Sequence, residues 1–433
     1  MFSKIKEELK PSKKTEEKIE EIKREIIQKL EKKGYRAIST GSTARGTYLP
    51  EEPDIDIFFF FSIETSREEL EEKGIELGKE ILKEHNPETH YAEHPYVKAR
   101  VKGIDIDLVP CYEIKKYENK EDYKIDEELL SAVDRTPLHN QYLQEKMKEE
   151  QKIEVKLLKK FLKNIGCYGA NEKTRGFSGY TTELLILRYD TFRKTIESAS
   201  EWKRNHKIDI EKHSKKDFKD PLIIIDPIDP NRNAAAALSE EKLGRFIIKS
   251  RKLLKDPTVK NFESKVKISK EMIKEKKILL LEFPYPKKTI SEIGWSQLRK
   301  LEKQLTKKLN KNEFKVYRTT HWTDEKIKAQ IILEVRNKKL PRYKKHIGPP
   351  FYNKKHSENF LNEERNKEIY IDRNRICSSR EREHKDIKKA INAILDSKEV
   401  PSRYREPVKK TEIIEEPEKL MGNKEIMREY FRM

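Results

Sequence analysis

The stretch Gly41-Ser42-Thr43-Ala44-Arg45-Gly46-Thr47, followed by Asp54-Ile55-Asp56-Ile57-Phe58-Phe59, decides how the rest of this 433-residue chain is read. A glycine lets backbone N–H groups approach phosphate oxygens closely, and a hydroxyl and a helix N-terminus add to the same pull. Gly41, Ser42 and Arg45 are therefore candidate phosphate contacts. Downstream, Ile55, Ile57 and Phe59 alternate with Asp54, Asp56 and Phe58, so strand periodicity sets both carboxylates on one face at the strand's mouth. Two acids on one face repel. Magnesium relieves that repulsion, because it binds through one or two carboxylates and keeps its other positions for water and phosphate. A bare Gly-Ser or a bare Asp-x-Asp is commonly a turn or a solvated strand end; the ordered combination, with Arg45 between, carries the reading.

Displacement at a phosphorus clamped between two metals calls for a third carboxylate. Tyr96 to Val101, Gly103, and Ile104-Asp105-Ile106-Asp107-Leu108-Val109-Pro110 read as two strands joined by a short glycine turn. Asp105 and Asp107 share a face of the second strand, and spacing alone does not choose between them.

Taken with Glu93-His94-Pro95-Tyr96 and Asp107-Leu108-Val109-Pro110-Cys111-Tyr112, these motifs resemble the archaeal, class I, CCA-adding tRNA nucleotidyltransferases of the polymerase-β-like superfamily. Further matches follow in that family's order. They are Arg135-Thr136-Pro137-x-His139, Leu157-Leu158-Lys159-x-Phe161, Gly166-x-Tyr168-Gly169-Ala170, Arg175-Gly176-Phe177-Ser178-Gly179-Tyr180 and Asp226-Pro227-x-Asp229-x-x-Arg232-Asn233. The likeness covers nearly the whole chain and is densest from Ile38 to Leu238. It implies that Asp54, Asp56 and Asp107 bind two catalytic Mg2+ ions. It also implies that Ser42, Arg45, His139, Lys159 and Tyr168 hold the incoming CTP or ATP, while Arg232 reads the base edge together with RNA phosphates. Some relatives have Glu where Asp54 stands, and either carboxylate ligates magnesium. The implied partner is tRNA, engaged at its acceptor end and elbow, and the implied assembly is a homodimer. Each carried-over residue has a plainer reading: Lys159 as a solvated helix face, Tyr168 as core, His139 and His94 as ordinary histidines, and Arg232 as a surface ion pair.

Composition agrees with a polyanionic partner. Lys and Arg number 96 against 77 Asp and Glu, for a net charge of +19. RNA, DNA or a membrane surface would all suit that charge. No apolar run approaches the ~20 residues needed to span a bilayer, and the charged N-terminal helix is not a secretory signal, so a cytoplasmic protein is expected. Cys111, Cys167 and Cys377 are too scattered for a disulfide framework or zinc knuckle and are expected to be small buried thiols.

The expected fold is multidomain α+β. Residues 1–142 form a catalytic head and 143–255 a mainly helical neck that closes the nucleotide pocket. Residues 256–341 form a small α+β body and 342–433 a basic tail, both tRNA-binding and free to interleave. Ser12 is the expected N-cap of a helix with Ile19, Ile22, Ile26 and Leu30 on one stripe, stopped by Gly34. Strands are expected over 277–283, 314–320 and 329–335, with a helix over 291–309. Trp295 and Trp322 read as core or interface rather than base-stacking platforms. The aromatic-dotted basic segment from Arg342 to His356 suits RNA backbone and stacking, and Glu383 to Lys398 reads as an exposed helix. The expected reaction is template-independent CCA addition. Its alternatives are a poly(A) or oligoadenylate polymerase with the same head, and a non-catalytic RNA-binding protein.

Overall fold

The computed structural model describes residues 2–91, 94–113, 133–263, 268–365 and 367–432, so Glu93 lies outside the described residues. The chain folds as two compact units, Met1–Lys265 and Val266–Met433.

The first unit starts with the expected charged N-terminal helix, but that helix packs outside the head. Helix α1 (Phe2–Glu8) and the turn after it place Ile5 and Leu9 in the core of the neck, not of the head, and Phe2 packs edge-on against Phe192 and Phe262. The head begins at α2 (Lys13–Lys32). Ser12 caps it by accepting from the Thr15 amide at 3.2 Å, and Ile19, Ile22, Ile26 and Leu30 are buried along its stripe. Four buried aliphatics of this size contribute roughly 1.5–3 kcal/mol each. The helix stops at Gly34, whose positive φ of 86° suits glycine.

Next come β1 (Ala37–Thr40), the one-turn helix α3 (Gly41–Ala44), β2 (Asp54–Phe61), α4 (Arg67–Ile81), β3 (Glu88–Tyr91), β4 (Pro95–Val101) and β5 (Ile104–Tyr112). The Gly-Ser turn is thus a helical turn, entered from an extended Thr40. The strands form one sheet in the order β1-β2-β5-β4-β3, with β2 and β5 parallel and the other pairs antiparallel. Ile55, Ile57 and Phe59 face α2 and α4, whereas Phe58, Phe60, Val109 and Cys111 cover the far half of the opposite face. Only the near end of that second face is left for Asp54 and Asp56.

The neck consists of α5 (Thr136–Lys146), α6 (Glu149–Asn164), α7 (Gly179–Tyr189), α8 (Phe192–Ser200) and α9 (Glu240–Lys255). They share a core that includes Leu158, Phe161, Leu185, Phe192 and Phe246. Between α8 and α9 lies a small sheet missed by the helical reading: β6 (His206–Ile208), β7 (Leu222–Asp226) and β8 (Asp229–Asn233). The run Leu222-Ile223-Ile224-Ile225 is buried on both sides, so it shows no alternation by which a strand is recognised.

The second unit contains α10 (Lys270–Lys274), β9 (Ile278–Pro284), α11 (Ser291–Lys311), β10 (Val316–Thr323) and β11 (Lys328–Val335). It continues with β12 (Tyr343–Pro350), α12 (Lys354–Glu363), β13 (Ile369–Asp372), β14 (Arg375–Glu381) and α13 (Ile387–Leu395), then β15 (Glu412–Ile414), α14 (Pro417–Gly422) and α15 (Lys424–Arg432). One sheet has the order β10-β11-β9-β15 and a second β12-β14-β13. Strand β15 pairs with β9, Ile413 opposite Leu281, so residues after 341 return to complete the sheet begun before it. Trp295 is buried, and Trp322 packs against a second core on the sheet's other face. Helix α13 is not merely an exposed helix: Ile387, Ala390, Ile391, Ile394 and Leu395 join the core with α11. Its charged neighbours masked a narrow apolar stripe. The segment Arg342 to His356 is largely strand and helix start, with Tyr343, Phe351 and Tyr352 exposed. All three cysteines are free and buried.

Candidate active site

The parallel register of β2 and β5 sets Asp54 opposite Asp105 and Asp56 opposite Asp107. Asp56 is pushed up to about 7, first by burial and then by the charges of Asp54 and Asp107. Burial also raises Asp107, against the pull of Lys98, whose ammonium lies 3.5 Å from its Oδ1. Asp105 is the more exposed acid of the second strand and lies near Arg100 as well as Lys98. The register therefore brings Asp107, and not Asp105, into the electrostatic neighbourhood of Asp56.

The glycine turn abuts these acids. Gly41 has φ +71°, and a methyl there would collide with the Asp56 carboxylate, so only glycine fits both the backbone and the space. Ser42 Oγ donates to Asp54 Oδ1 at 3.2 Å. Arg45 is braced: Nε and Nη2 donate to the two Glu183 oxygens at 3.1 and 2.8 Å, and Nη1 donates to Asn140 at 2.7 Å. Thr47 also donates to Glu183, and Lys159 Nζ donates to the Thr47 carbonyl at 3.1 Å. Lys159 is buried, which lowers its pKa in spite of Glu183 nearby, and burial raises the Tyr168 phenol beside it. Both side chains approach Gly179 at the start of α7.

A cleft of about 720 Å³ runs from Gly41 and Arg45 to Arg135, His139, Tyr180 and Arg232. At this far end Asp226 is fully buried and accepts from His139 Nε2 at 2.8 Å, Arg232 Nη1 at 2.5 Å and the Tyr180 hydroxyl at 3.0 Å. Burial alone would raise Asp226, but its donors outweigh that and hold it well below the usual carboxylate range. His139 is driven toward the neutral form by burial. Because Asp226 only accepts, the neutral ring commits its Nε2–H to it and has Nδ1 left as an acceptor. The pairing ties Nε2 to Asp226 while His139 still lines the cleft. His94, the other histidine singled out, is buried between Glu71 and Asp134.

Comparison with known proteins gives the same order of parts. A nucleotidyltransferase domain family matches residues 19–139, a tRNA nucleotidyltransferase second-domain family matches 153–263, and a CCA-adding enzyme C-terminal domain family matches 274–411. The chain is 35% identical over 426 residues to the CCA-adding enzyme of Methanocaldococcus jannaschii, covering 92% of each chain. It is 37% identical to that of Methanosarcina barkeri, across 82% of this chain and 79% of the relative, and 35% identical to that of Methanothermobacter thermautotrophicus, across 85% and 80%. The chain belongs to the CCA-adding enzyme family.

For a CCA-adding enzyme, NTP substrates and a divalent cation follow from the nucleotidyltransferase domain. Among the described residues no three His, Cys, Asp or Glu side chains close into a ready-made cation cage. The acids nonetheless fit magnesium. They offer hard oxygen donors and repel one another, and magnesium takes few protein ligands and completes its shell with water and phosphate.

One residue of the site, Glu183, is not singled out by the sequence reading, and another, Asp226, appears there only within a motif, without a role. Glu183 is fully buried and anchors Arg45, and Asp226 organises the far end of the cleft. Both had a signal: a lone carboxylate in the apolar run Glu183-Leu184-Leu185-Ile186, and one closing Leu222-Ile223-Ile224-Ile225. Buried acids require partners. Among the described residues no helix is long and apolar enough to cross a membrane.

Proposed function

We propose that this protein completes tRNA 3′ ends by adding C, C and A from CTP and ATP without a template, releasing pyrophosphate. The observation that carries the reading is a single cleft. The Gly41 and Arg45 end, which touches the acids through Gly41, suits a triphosphate, and the Arg232 end suits a base. Asp54, Asp56 and Asp107 would hold the cations, two magnesium ions, whose chemistry is to acidify the RNA 3′-hydroxyl and neutralise the leaving pyrophosphate. Ser42 and the braced Arg45 orient the triphosphate for in-line attack at its α-phosphorus, with Lys159 and Tyr168 behind them. Positioning and fixed charge dominate such a transfer, since little covalent help is needed. Arg232, at the cleft's far end, contacts the base edge.

In the second unit, Tyr343, Phe351 and Tyr352, interspersed with Lys344, Lys345, Lys354 and Lys355, suit RNA stacking and phosphate contact toward the tRNA elbow. A cytoplasmic homodimer completes the proposal. The test is incorporation into tRNAs truncated before the first C, before the second C and before A. Addition of C, C and then A, with arrest, is the expected result; long A-tails without C addition would favour a poly(A) polymerase instead.

A further inference from the structure

Asp226 stands at the end of β7, where the chain turns into β8, and it is saturated by donors from three elements. His139 comes from α5, Tyr180 from α7 and Arg232 from β8, and the Ile228 amide donates to Oδ1 at 3.2 Å. The His139 and Tyr180 rings lie 4.1 Å apart and fill the space beside the carboxylate. We propose that Asp226 is a positioning residue for base selection: it holds Arg232 from behind through Nη1 and presents the rest of the guanidinium to the cleft in one orientation. The preference for cytosine and adenine over uracil and guanine then depends on Asp226, although Asp226 is buried and Arg232 makes the contact. The inference rests on the reading of Arg232 as the base-edge residue.

The chemistry behind it is directional. A guanidinium only donates, in a planar fork. Cytosine and adenine present an unprotonated ring nitrogen on the pairing edge, whereas uracil and guanine carry a proton at that place. A fixed row of donors therefore separates the two pairs. An arginine free to swing would also find the carbonyl oxygens of uracil and guanine, and the separation would fade. A site built to hydrogen-bond one pattern rejects the wrong one strongly only while its own groups are held in place. The same turn also serves a second arginine at this end of the cleft, because Asp229 lies 3.5 Å from Arg135.

The test uses the full-length protein and tRNA lacking CCA, with kcat and KM measured separately for CTP and UTP. The variants are Asp226→Asn, Arg232→Gln and the double substitution. Each single change is expected to reduce the CTP-over-UTP preference about tenfold, mainly through KM, and the double change no further than the worse single, as for residues acting as one unit. Losses that multiply in the double variant, or an Asp226→Asn enzyme that keeps its preference and only melts earlier, would overturn the proposal. If Arg232→Gln keeps the wild-type preference, the base-edge reading falls and this inference with it, while CCA addition by the wild type stands. Should Asp226→Asn fail to fold, the double variant, which leaves no lone buried charge, is compared with Arg232→Gln. Equal preferences support the proposal, and a further loss overturns it.

Discussion

The acids at the mouth of the head sheet and the acids buried in the neck are the same chemical group in opposite circumstances. Asp56 faces Asp54 and Asp107, and its carboxyl is pushed up by burial and by their charge. Glu183 and Asp226 are more deeply enclosed, yet each is tied to an arginine, and Asp226 is held low by its donors. Crowded like charge of this kind is what a bound cation relieves. Saturated charge marks a scaffold that holds arginines for use elsewhere.

Substitutions should therefore act with opposite signs on stability in the two regions. The largest effect is expected on chemistry: Asp107→Asn should reduce nucleotide incorporation by about a thousandfold or more, with tRNA binding by gel shift almost unchanged. Retained activity would remove Asp107 from the metal-binding set. Glu183→Gln should instead unfold the protein more easily, by about 3–5 kcal/mol in urea denaturation, because Arg45 is left charged and buried without its partner. A neutral result there would break the contrast.

Asp56→Asn sharpens it. A carboxyl whose pKa is higher folded than unfolded stabilises the fold fully below the unfolded value, near 4, and loses that contribution as pH rises through about 7. Above pH 7, without magnesium, Asp56→Asn should melt later than the wild type by roughly 2 kcal/mol of stability, and the difference should vanish at pH 4. A wild-type melting temperature that does not fall between those pH values would show that Asp56 is already relieved. The smallest effect is expected for Tyr180→Phe, which removes one of the donors to Asp226 and should cost about 1 kcal/mol in thermal melts.

Much of the head was legible because its signals are local. Ser12, the Ile19-to-Leu30 stripe and the alternation about Asp54 and Asp56 need only a helix or strand period to be read. The period of two could not separate Asp105 from Asp107, which lie on the same face; the parallel register across from β2 separates them. Glu183 lies 138 residues from Arg45 and Asp226 lies 87 from His139, so no window along the chain contains either pair. Similarly, α13 reads as solvated because lysines and acids surround its apolar stripe, and α1 reads as part of the head because its neck partners come much later in the chain.

From its own residues the chain determined the α+β head, the glycine turn, the acidic strand mouth and, by motif order, the family. Those features follow from backbone periodicity and from short-range sterics, which neighbouring residues already impose. Tertiary structure decided which acid stands beside Asp56, which carboxylate anchors Arg45, and that His139 meets Asp226. Each of those depends on burial and on charges that meet only when distant segments pack, since a carboxylate's partners are chosen by distance in space and not along the chain.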